Sequence, residues 1–149
     1  MWQRIQTLYL SLAIVLNASI FGLELAKLQL ADVTHSFMIN GMGELYSTVI
    51  ISVVAGASIL VSLLVIMMFK KRQKQIKLSQ LNLLVQVALV AAIFFLVDEA
   101  AKSLGQTEGL IIVYSAGTYL ALLPLVFIYM AIRSIKKDEA LVRAADRIR

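Results

Sequence analysis

Four long stretches of the chain lack charged residues, and polar segments separate them. They cover residues 5–23, 45–69, 78–97 and 109–132, which are 19, 25, 20 and 24 residues long. Helices of these lengths reach roughly 28–37 Å, enough to cross a hydrocarbon core of roughly 30 Å. Because a backbone inside a bilayer must satisfy its own hydrogen bonds, these stretches predict transmembrane helices. We expect the first of them to extend over about residues 5–25.

The connections between these stretches are short, so neighbouring helices should be antiparallel. The predicted fold class is therefore all-α: an integral membrane four-helix up-down bundle that forms a single transmembrane domain over residues 1–149. Residues 26–44 contain an Asn-Gly pair that favours a turn, and they form a loop with room for a short helix or a hairpin. Residues 98–108 form a second short loop, and residues 133–149 form a charged cytoplasmic tail.

The positive charges lie almost entirely on one side of this predicted bundle. Arg4, five cations in the turn over residues 70–77 and six in the tail make twelve of the fourteen Lys and Arg residues. Only Lys27 and Lys102 lie on the other side. By the positive-inside rule, both termini should therefore face the cytoplasm. We predict a multi-pass membrane protein.

A net charge of +5 in a soluble protein would suggest nucleic acid as a partner. Here the cations flank apolar stretches, so the expected partners are anionic lipid headgroups and another membrane protein, and no nucleic acid is expected. The residues predicted to contact lipid headgroups or a partner protein are Lys70, Lys71, Arg72, Lys74, Lys77, Arg143 and Arg147.

Three positions inside the predicted spans form a predicted intramembrane polar cluster. Asn17 and Gln86 lie roughly 18 Å and 12 Å from the cytoplasmic ends of their helices, at a rise of about 1.5 Å per residue. Pro124 lacks the N–H group that would bond to the carbonyl group of Leu120, which lies at a similar depth. Because polar groups inside a membrane usually face the bundle interior, these groups should satisfy one another. The cluster is either a structural network or part of a substrate or ion path.

Small residues at helical spacing predict surfaces on which membrane helices approach closely. The third span also places polar residues on one face, namely Ser79, Asn82 and Gln86. The small-residue surfaces comprise Ser52, Ala55, Gly56, Ile59 and Ser62 in the second span, and Tyr114, Gly117, Ala121 and Pro124 in the fourth.

The residue types needed for most membrane-embedded chemistry are missing from the sequence. The chain has no cysteine, which excludes disulfides, thiolate catalysis and Cys-ligated metals. Its one histidine, His35, lies in a loop, and no aspartate lies within a predicted span. Glu24 lies at the outer end of the first span, three residues before Lys27, where an interfacial carboxylate is expected. We therefore predict no catalytic, cofactor-binding or metal-binding residue, no cofactor and no enzymatic activity.

The tail contains no proline or glycine, so nothing in the sequence stops the fourth helix at the membrane surface. We predict that this helix continues past Ile132 through at least Ala140. Glu139 and Arg143 are four residues apart, which favours an ion pair on a helix. The tail is either a solvated or interfacial helix, or a docking helix whose arginines bind carboxylates of a partner.

Three stretches of the chain resemble one known family. They are residues 3–10 (QRIQTLYL), 71–82 (KRQKQIKLSQLN) and 131–149 (AIRSIKKDEALVRAADRIR), of which the last is the most specific. They are similar to an uncharacterised family of four-span membrane proteins of Bacteroidota, domain of unknown function family 4293. The resemblance covers most of the chain. It implies an inner-membrane protein with this topology and implies no activity.

Together, these features favour a non-enzymatic scaffold or accessory subunit of a larger membrane complex. The alternative is a small transporter or lipid-binding membrane protein that uses the intramembrane polar cluster. A solvent-open cavity that reaches Asn17 or Gln86 would favour the alternative, whereas a closed, well-packed bundle would favour the subunit.

Overall fold

Four long helices form most of the computed structural model, which describes residues 3–30, 33–43, 45, 47–69, 71–104 and 109–146. The helices are α1 (Gln3–Ser19), α2 (Ile50–Met67), α3 (Arg72–Ser103) and α4 (Ala116–Asp146). A 3₁₀ turn, Ile20–Gly22, follows α1. The strands are β1 (Ala26–Leu30), β2 (Val33–Phe37) and β3 (Leu110–Tyr114).

Each of the four helices contains a segment that is long and apolar enough to cross a membrane. The prediction of four membrane-length helices is thus confirmed, and it indicates a multi-pass membrane protein. The outward faces of the helices carry exposed apolar side chains, as expected of helices surrounded by lipid. Examples are Val15 on α1, Leu60 on α2, Leu84 on α3 and Val126 on α4.

Each helix packs chiefly against two neighbours. Both α1 and α3 contact α2 and α4, so α1 and α3 are opposite each other across the bundle. The contacts between α2 and α3 run antiparallel. Ser58 bonds to Gln86, whereas Val65, later in α2, bonds to Gln75, earlier in α3. An ion pair likewise joins the start of α3 to the later part of α4. Asn17, late in α1, bonds to Ser58, whereas Leu10, earlier in α1, packs with Val65, so the four helices alternate in direction.

The all-α prediction is wrong in one respect, because a three-stranded antiparallel sheet lies at the end of the bundle opposite the α2–α3 turn. Strand β1 is in the centre, with β2 on one edge and β3 on the other. Leu28 of β1 is opposite His35 of β2 and Ile112 of β3. The predicted loop over residues 26–44 is therefore largely a hairpin, and its connecting residues 31–32 lie outside the described part of the chain.

The fourth span begins later than predicted. Residues 109–132 are uniformly uncharged, yet Leu110–Tyr114 is strand β3 and α4 begins at Ala116. The centre of β3 reads Ile-Ile-Val, and β-branched residues favour strands. Hydropathy cannot separate a short apolar strand from an apolar helical turn. The pairing with β1, which is distant in sequence, decides between them.

The inner face of the sheet completes the main hydrophobic core. Leu28 of β1 and Phe37 of β2 lie on this face and are fully buried. They belong to one cluster with Ile51 of α2 and Leu89 of α3. Burial of such side chains stabilises a fold by about 1.5–3 kcal/mol each where water is the alternative. The sheet therefore packs on the bundle as a cap and does not form a separate lobe.

The start of α4 is attached to the start of β1 by close backbone contacts. The N–H groups of Ser115 and Gly117 donate to the carbonyl oxygens of Leu25 and Glu24, at 2.9 and 3.1 Å. The Thr118 hydroxyl donates to the same Leu25 carbonyl at 2.7 Å. A Cβ atom on Gly117 would lie 2.6 Å from the Glu24 carbonyl oxygen, so this approach requires glycine. Gly117, predicted to face another helix, faces the two residues that precede β1.

Helices α2 and α3 differ in length from the predicted spans 45–69 and 78–97. The former begins only at Ile50, whereas α3 includes most of the basic stretch and continues into the predicted 98–108 loop. On this extension, Asp98 Oδ2 and Lys102 Nζ are 2.7 Å apart, the i,i+4 geometry that stabilises helices. These charged residues can continue the helix because they lie beyond its apolar segment, where water and ion pairs compensate their charges.

The other two helices end differently. The predicted first span of 5–25 is too long, because α1 ends at Ser19 and the 3₁₀ turn ends at Gly22. In contrast, α4 continues through Asp146, which confirms that the fourth helix extends past Ile132 and through Ala140.

Candidate functional site: a buried polar layer

Helix α3 carries four polar side chains on the face that it turns toward the bundle. Gln75, Ser79, Asn82 and Gln86 follow one another at steps of four, three and four residues, which places them on one side of a helix. Gln75 is 3% exposed and the other three are 0% exposed. Because burial of an unbonded polar group is costly, each of these side chains needs a partner inside the bundle.

Asn17 of α1 and Gln86 of α3 form a reciprocal pair of amides across the bundle. Asn17 Nδ2 donates to Gln86 Oε1 at 2.9 Å, and Gln86 Nε2 donates to Asn17 Oδ1 at 3.0 Å. Neither side chain is exposed. The structure thus brings together two of the three residues predicted to form the intramembrane cluster.

The second hydrogens of both amides bond to the other two helices. Asn17 Nδ2 donates to Ser58 Oγ of α2 at 3.1 Å, and Gln86 Nε2 donates to the Ala121 carbonyl oxygen of α4 at 3.1 Å. One level of the bundle therefore contains a bonded polar group from every helix. We call Asn17, Ser58, Gln86 and the Ala121 carbonyl group the polar layer.

The carbonyl group in this layer belongs to Ala121 and not, as predicted, to Leu120. Pro124 is buried inside α4, and it has no N–H group to bond to the Leu120 carbonyl. Successive carbonyl groups of a helix point in directions about 100° apart, since a turn contains about 3.6 residues. The rotation of α4 therefore decides which carbonyl faces Gln86. Sequence spacing does not specify that rotation.

Further hydrogen bonds connect the layer to the next turn of α2 and α3. Ser58 Oγ lies 2.9 Å from Gln86 Oε1 and 3.1 Å from Asn82 Oδ1, so its single proton can serve either oxygen. Asn82 Nδ2 donates to Ser62 Oγ at 2.7 Å. The two helices are thus joined by side-chain bonds over about one turn.

The chemistry of the polar layer is that of amides, hydroxyls and a carbonyl group, none of which titrates near neutral pH. No buried side-chain nitrogen or oxygen of the described residues lacks a hydrogen-bond partner. Across the same residues, no group of three or more His, Cys, Asp or Glu side chains could hold a metal ion. The saturated bonding of the layer suits the alignment of four helices.

Ser58 is the side chain of the layer that sequence analysis missed. It continues the spacing of the small residues on α2, three positions after Ala55 and four before Ser62, so the periodicity contained the necessary information. Ser52 lies off this stripe, and its hydroxyl donates to the Val49 carbonyl at 2.8 Å. The buried stripe of α2 consists of Ile51, Ala55, Ser58, Ser62 and Val65.

The cations predicted to contact headgroups or a partner have different environments. Arg72 forms an ion pair with Asp138 of α4, with 3.5 Å between Nη2 and Oδ2, and its Nη1 donates to the Asp138 carbonyl oxygen at 3.2 Å. This side chain therefore joins α3 to α4. Lys71, Lys74 and Lys77 are exposed, whereas Lys70 and Arg147 lie outside the described residues.

Two local ion pairs occupy opposite ends of the protein. In the tail, Arg143 Nε donates to Glu139 Oε1 at 3.0 Å, the i,i+4 pair expected from the sequence. At the sheet end, Lys27 Nζ lies 3.2 Å from Glu24 Oε2, and Ser36 Oγ donates to Glu24 Oε1 at 2.8 Å. The Ser36 hydrogen bond, followed by the effects of Lys27, lowers the pKa of Glu24. Glu24 is thus an ionised group that bonds to both strands of the hairpin.

Comparison with known proteins identifies a family. No curated protein and no solved structure matches the chain. The family model described as Domain of unknown function (DUF4293) matches residues 2–148, nearly the whole sequence. The chain therefore belongs to the DUF4293 family.

Proposed function

We propose that this protein is a non-enzymatic scaffold or accessory subunit of a larger complex in the bacterial inner membrane. Its four helices would cross the bilayer with both termini in the cytoplasm. The last turns of α4 would extend beyond the membrane and dock a partner. The observation that carries the proposal is the exposed, uninterrupted end of α4.

The length of α4 supports a projecting end. Its 31 residues span roughly 46 Å, whereas a bilayer core is roughly 30 Å thick. Ile135 is fully buried, and Asp138 is held by Arg72, so the helix packs on the bundle up to about this point. From Ala140 to Ala144 every residue is exposed.

The surface of this projecting end is suited to protein contact. Leu141 is 60% exposed and Val142 is 42% exposed, and both lie beside the charged pair of Glu139 and Arg143. Two adjacent aliphatic side chains are too small an area to hold a helix on a membrane. A partner surface with an apolar patch and a carboxylate for Arg143 would cover them.

The orientation is supported by where the cations lie relative to the helices. Lys74 and Lys77 near the start of α3, and Arg133 and Lys137 in α4, lie at one end of the bundle and form no ion pair with another described residue. Lys27 and Lys102 lie at the sheet end, and each is paired with a nearby carboxylate. Unpaired positive charge is thus concentrated at the end that we assign to the cytoplasm.

A small transporter or a lipid-binding protein that uses the polar cluster has less support. Asn17 and Gln86 are 0% exposed and use both amide hydrogens in bonds to one another and to neighbouring helices. A substrate would first have to break these bonds. The scaffold proposal requires no such rearrangement.

Removal of the projecting end tests the proposal. We would express the full chain and a variant that lacks residues 141–149, extract both in mild detergent, and compare complex size by native gel electrophoresis with mass spectrometry. We expect the full chain to migrate in a larger complex and the truncated chain to migrate as the free protein. Resistance of membranes to alkaline carbonate extraction should be the same for both.

A point variant provides the matched control. Leu141→Ser with Val142→Ser should dissociate the complex without shortening the chain, whereas Gln80→Ser, on an exposed position of α3, should leave it intact. The docking role is wrong if the truncated chain keeps its complex. Loss of membrane insertion on truncation would contradict the assignment of the tail as a peripheral element.

A further inference from the structure

A groove lies between the start of α1 and the middle of α4, toward the end of the bundle that carries the α2–α3 turn. Its volume is about 430 Å³, and it is open to the outside of the bundle. Ile5 and Tyr9 line it from α1, and Val126, Met130, Arg133 and Lys137 line it from α4. The groove is separate from the polar layer, whose residues do not line it.

The chemistry of the groove changes along its length. Val126, Met130, Arg133 and Lys137 follow one another at steps of four, three and four residues, so they form one stripe on α4. The stripe is roughly 16 Å long, with its apolar half toward the middle of the helix and its basic half toward the end. Ile5 and Tyr9 are one turn apart and face the groove from α1.

The basic half of the groove carries charge that the described residues do not neutralise. The two acids of this region are engaged elsewhere, since Asp138 pairs with Arg72 and Glu139 pairs with Arg143. No ion pair joins Arg133 or Lys137 to another described residue, and both are exposed. A second recess of about 390 Å³ adjoins the first, shares both cations and adds Lys136.

We propose that this groove binds one anionic phospholipid of the surrounding membrane. Its phosphate would lie between Arg133 and Lys137, and one acyl chain would lie against Ile5, Tyr9, Val126 and Met130. Arg133 is the first charged residue after the uncharged stretch of α4, which places it at the boundary between hydrocarbon and headgroups. The proposal rests on the membrane placement given above and does not depend on the docking role of the tail.

A lipid fits this groove better than an acidic protein segment does. Half of the groove is apolar and lies deeper in the membrane than the lipid headgroups. The backbone N–H and C=O groups of a peptide bound there would lack hydrogen-bond partners. A phosphodiester offers Arg133 an acceptor with two oxygens, which matches the geometry of a guanidinium group. The acyl chain of the same molecule covers the apolar half without leaving the bilayer.

Native mass spectrometry of the full chain in a non-ionic detergent tests the proposal. The probes are phosphatidylglycerol and phosphatidylcholine with identical acyl chains, and glycerol phosphate as a headgroup without chains. We expect retention of one phosphatidylglycerol molecule, weaker retention of phosphatidylcholine, and none of glycerol phosphate. Equal retention of both lipids would overturn the anionic headgroup site. Binding of glycerol phosphate as strong as that of the lipid would overturn the role of the apolar half.

Variants separate the two halves of the site. Arg133→Gln with Lys137→Gln should lower the affinity for phosphatidylglycerol roughly thirty-fold, because each cation near an anionic headgroup contributes about a factor of five. Met130→Trp should fill the apolar half and lower the retention of both lipids. Lys27→Gln with Lys102→Gln removes the same charge at the sheet end and should change nothing. The proposal is wrong if this control weakens lipid binding as much as the Arg133 and Lys137 variant does.

Failure of this proposal can be distinguished from failure of the proposed function. Carbonate extraction of each variant reports whether the protein is still in the membrane. The chain that lacks residues 141–149 should retain phosphatidylglycerol even though it loses its complex. If the Arg133 and Lys137 variant instead loses the complex and keeps its lipid preference, the groove is a protein-docking surface and the lipid proposal is wrong.

Discussion

The side-chain amides of Asn17 and Gln86 hydrogen-bond to each other in both directions, at 2.9 and 3.0 Å, from helices that are opposite each other in the bundle. A hydrogen bond between opposite helices constrains the relative positions of more helices than a bond between neighbours does, because it lies at a level where all four helices are in contact. Ser58 and the Ala121 carbonyl group complete that level. The position of each helix along the bundle axis is thereby coupled to the other three.

The amide pair should show strong energetic coupling. Gln86→Leu removes the donor to the buried side-chain oxygen of Asn17 and to the Ala121 carbonyl group, so we expect a loss of roughly 1–3 kcal/mol in the free energy of unfolding. This exceeds the average of about 0.6 kcal/mol for a hydrogen bond between membrane helices. The measurement is reversible unfolding in mixed detergent micelles.

A double-mutant cycle completes this test. The double variant Asn17→Leu, Gln86→Leu should lose less stability than the sum of the two single variants. Each substitution removes the group that the other would leave without a hydrogen-bond partner. Gln80→Leu, at an exposed position of α3, serves as the control and should stay within about 0.5 kcal/mol of the wild type. Additive single effects would show that the pair does not act as a unit.

Two serines of α2 provide a comparison between the polar layer and the helix surface. Ser58→Ala removes a hydroxyl that joins Asn17, Asn82 and Gln86, and we expect a loss of roughly 1–3 kcal/mol in stability. Ser52→Ala removes a hydroxyl bonded only to the Val49 carbonyl in the described structure and should change stability by less than about 0.5 kcal/mol. Equal effects of the two substitutions would contradict the central place of Ser58.

The contact between α4 and β1 predicts opposite responses of two glycines. Gly117→Ala forces a Cβ atom against the Glu24 carbonyl oxygen at 2.6 Å, and we expect a cost of roughly 1–3 kcal/mol because backbone must move. Gly56→Ala, in the middle of α2, brings the new methyl group within 4 Å of no atom outside the neighbouring backbone of its own helix. It should be neutral or stabilise α2 by up to about 1 kcal/mol. Thermal unfolding of both variants in one detergent would test this.

Accessibility of single cysteines should report the membrane orientation. Ser36→Cys and Ser103→Cys lie at exposed positions near the sheet end, and Gln73→Cys lies at an exposed position near the α2–α3 turn. In intact cells, an impermeant thiol reagent should label the first two and should label the third only after the membrane is opened. Ser79 lies toward the same end as Gln73 but is fully buried, so a cysteine at that position could not report accessibility. Labelling of Gln73→Cys from outside would reverse the proposed topology.

The hairpin should depend on pH through Glu24. Its pKa is lowered by the Ser36 hydrogen bond and by Lys27, so the folded state favours the ionised carboxylate. The resulting stabilisation is complete above the pKa of the unfolded chain and is lost as the pH falls through the lower pKa of the folded state. The protection factors of the hairpin amides, which compare exchange with the intrinsic rate at each pH, should therefore fall on acidification. Ser36→Ala should shift this change to higher pH, whereas Thr34→Ala, on the same strand, should not.

The sequence alone determined the features that depend on composition within one segment. Four uncharged stretches predicted four membrane-length helices, and the absence of proline and glycine in the tail predicted the continuation of α4 through Ala140. The i,i+4 spacing of Glu139 and Arg143 predicted their ion pair. These features follow from the hydrophobic effect and helix geometry, which act locally and leave a periodic record in the chain.

Tertiary structure alone decided which distant groups meet. Strand β3 exists because β1 pairs with it, although its residues are as apolar as a helix would require. Ser58 enters the polar layer, and Ala121 replaces Leu120, because rotation of α2 and α4 sets which groups face Gln86. Such rotation is fixed by the packing of four helices at once, and a hydrogen bond requires its two atoms to be within about 3 Å. The pattern of residues along a single helix does not specify the distance between atoms on different helices.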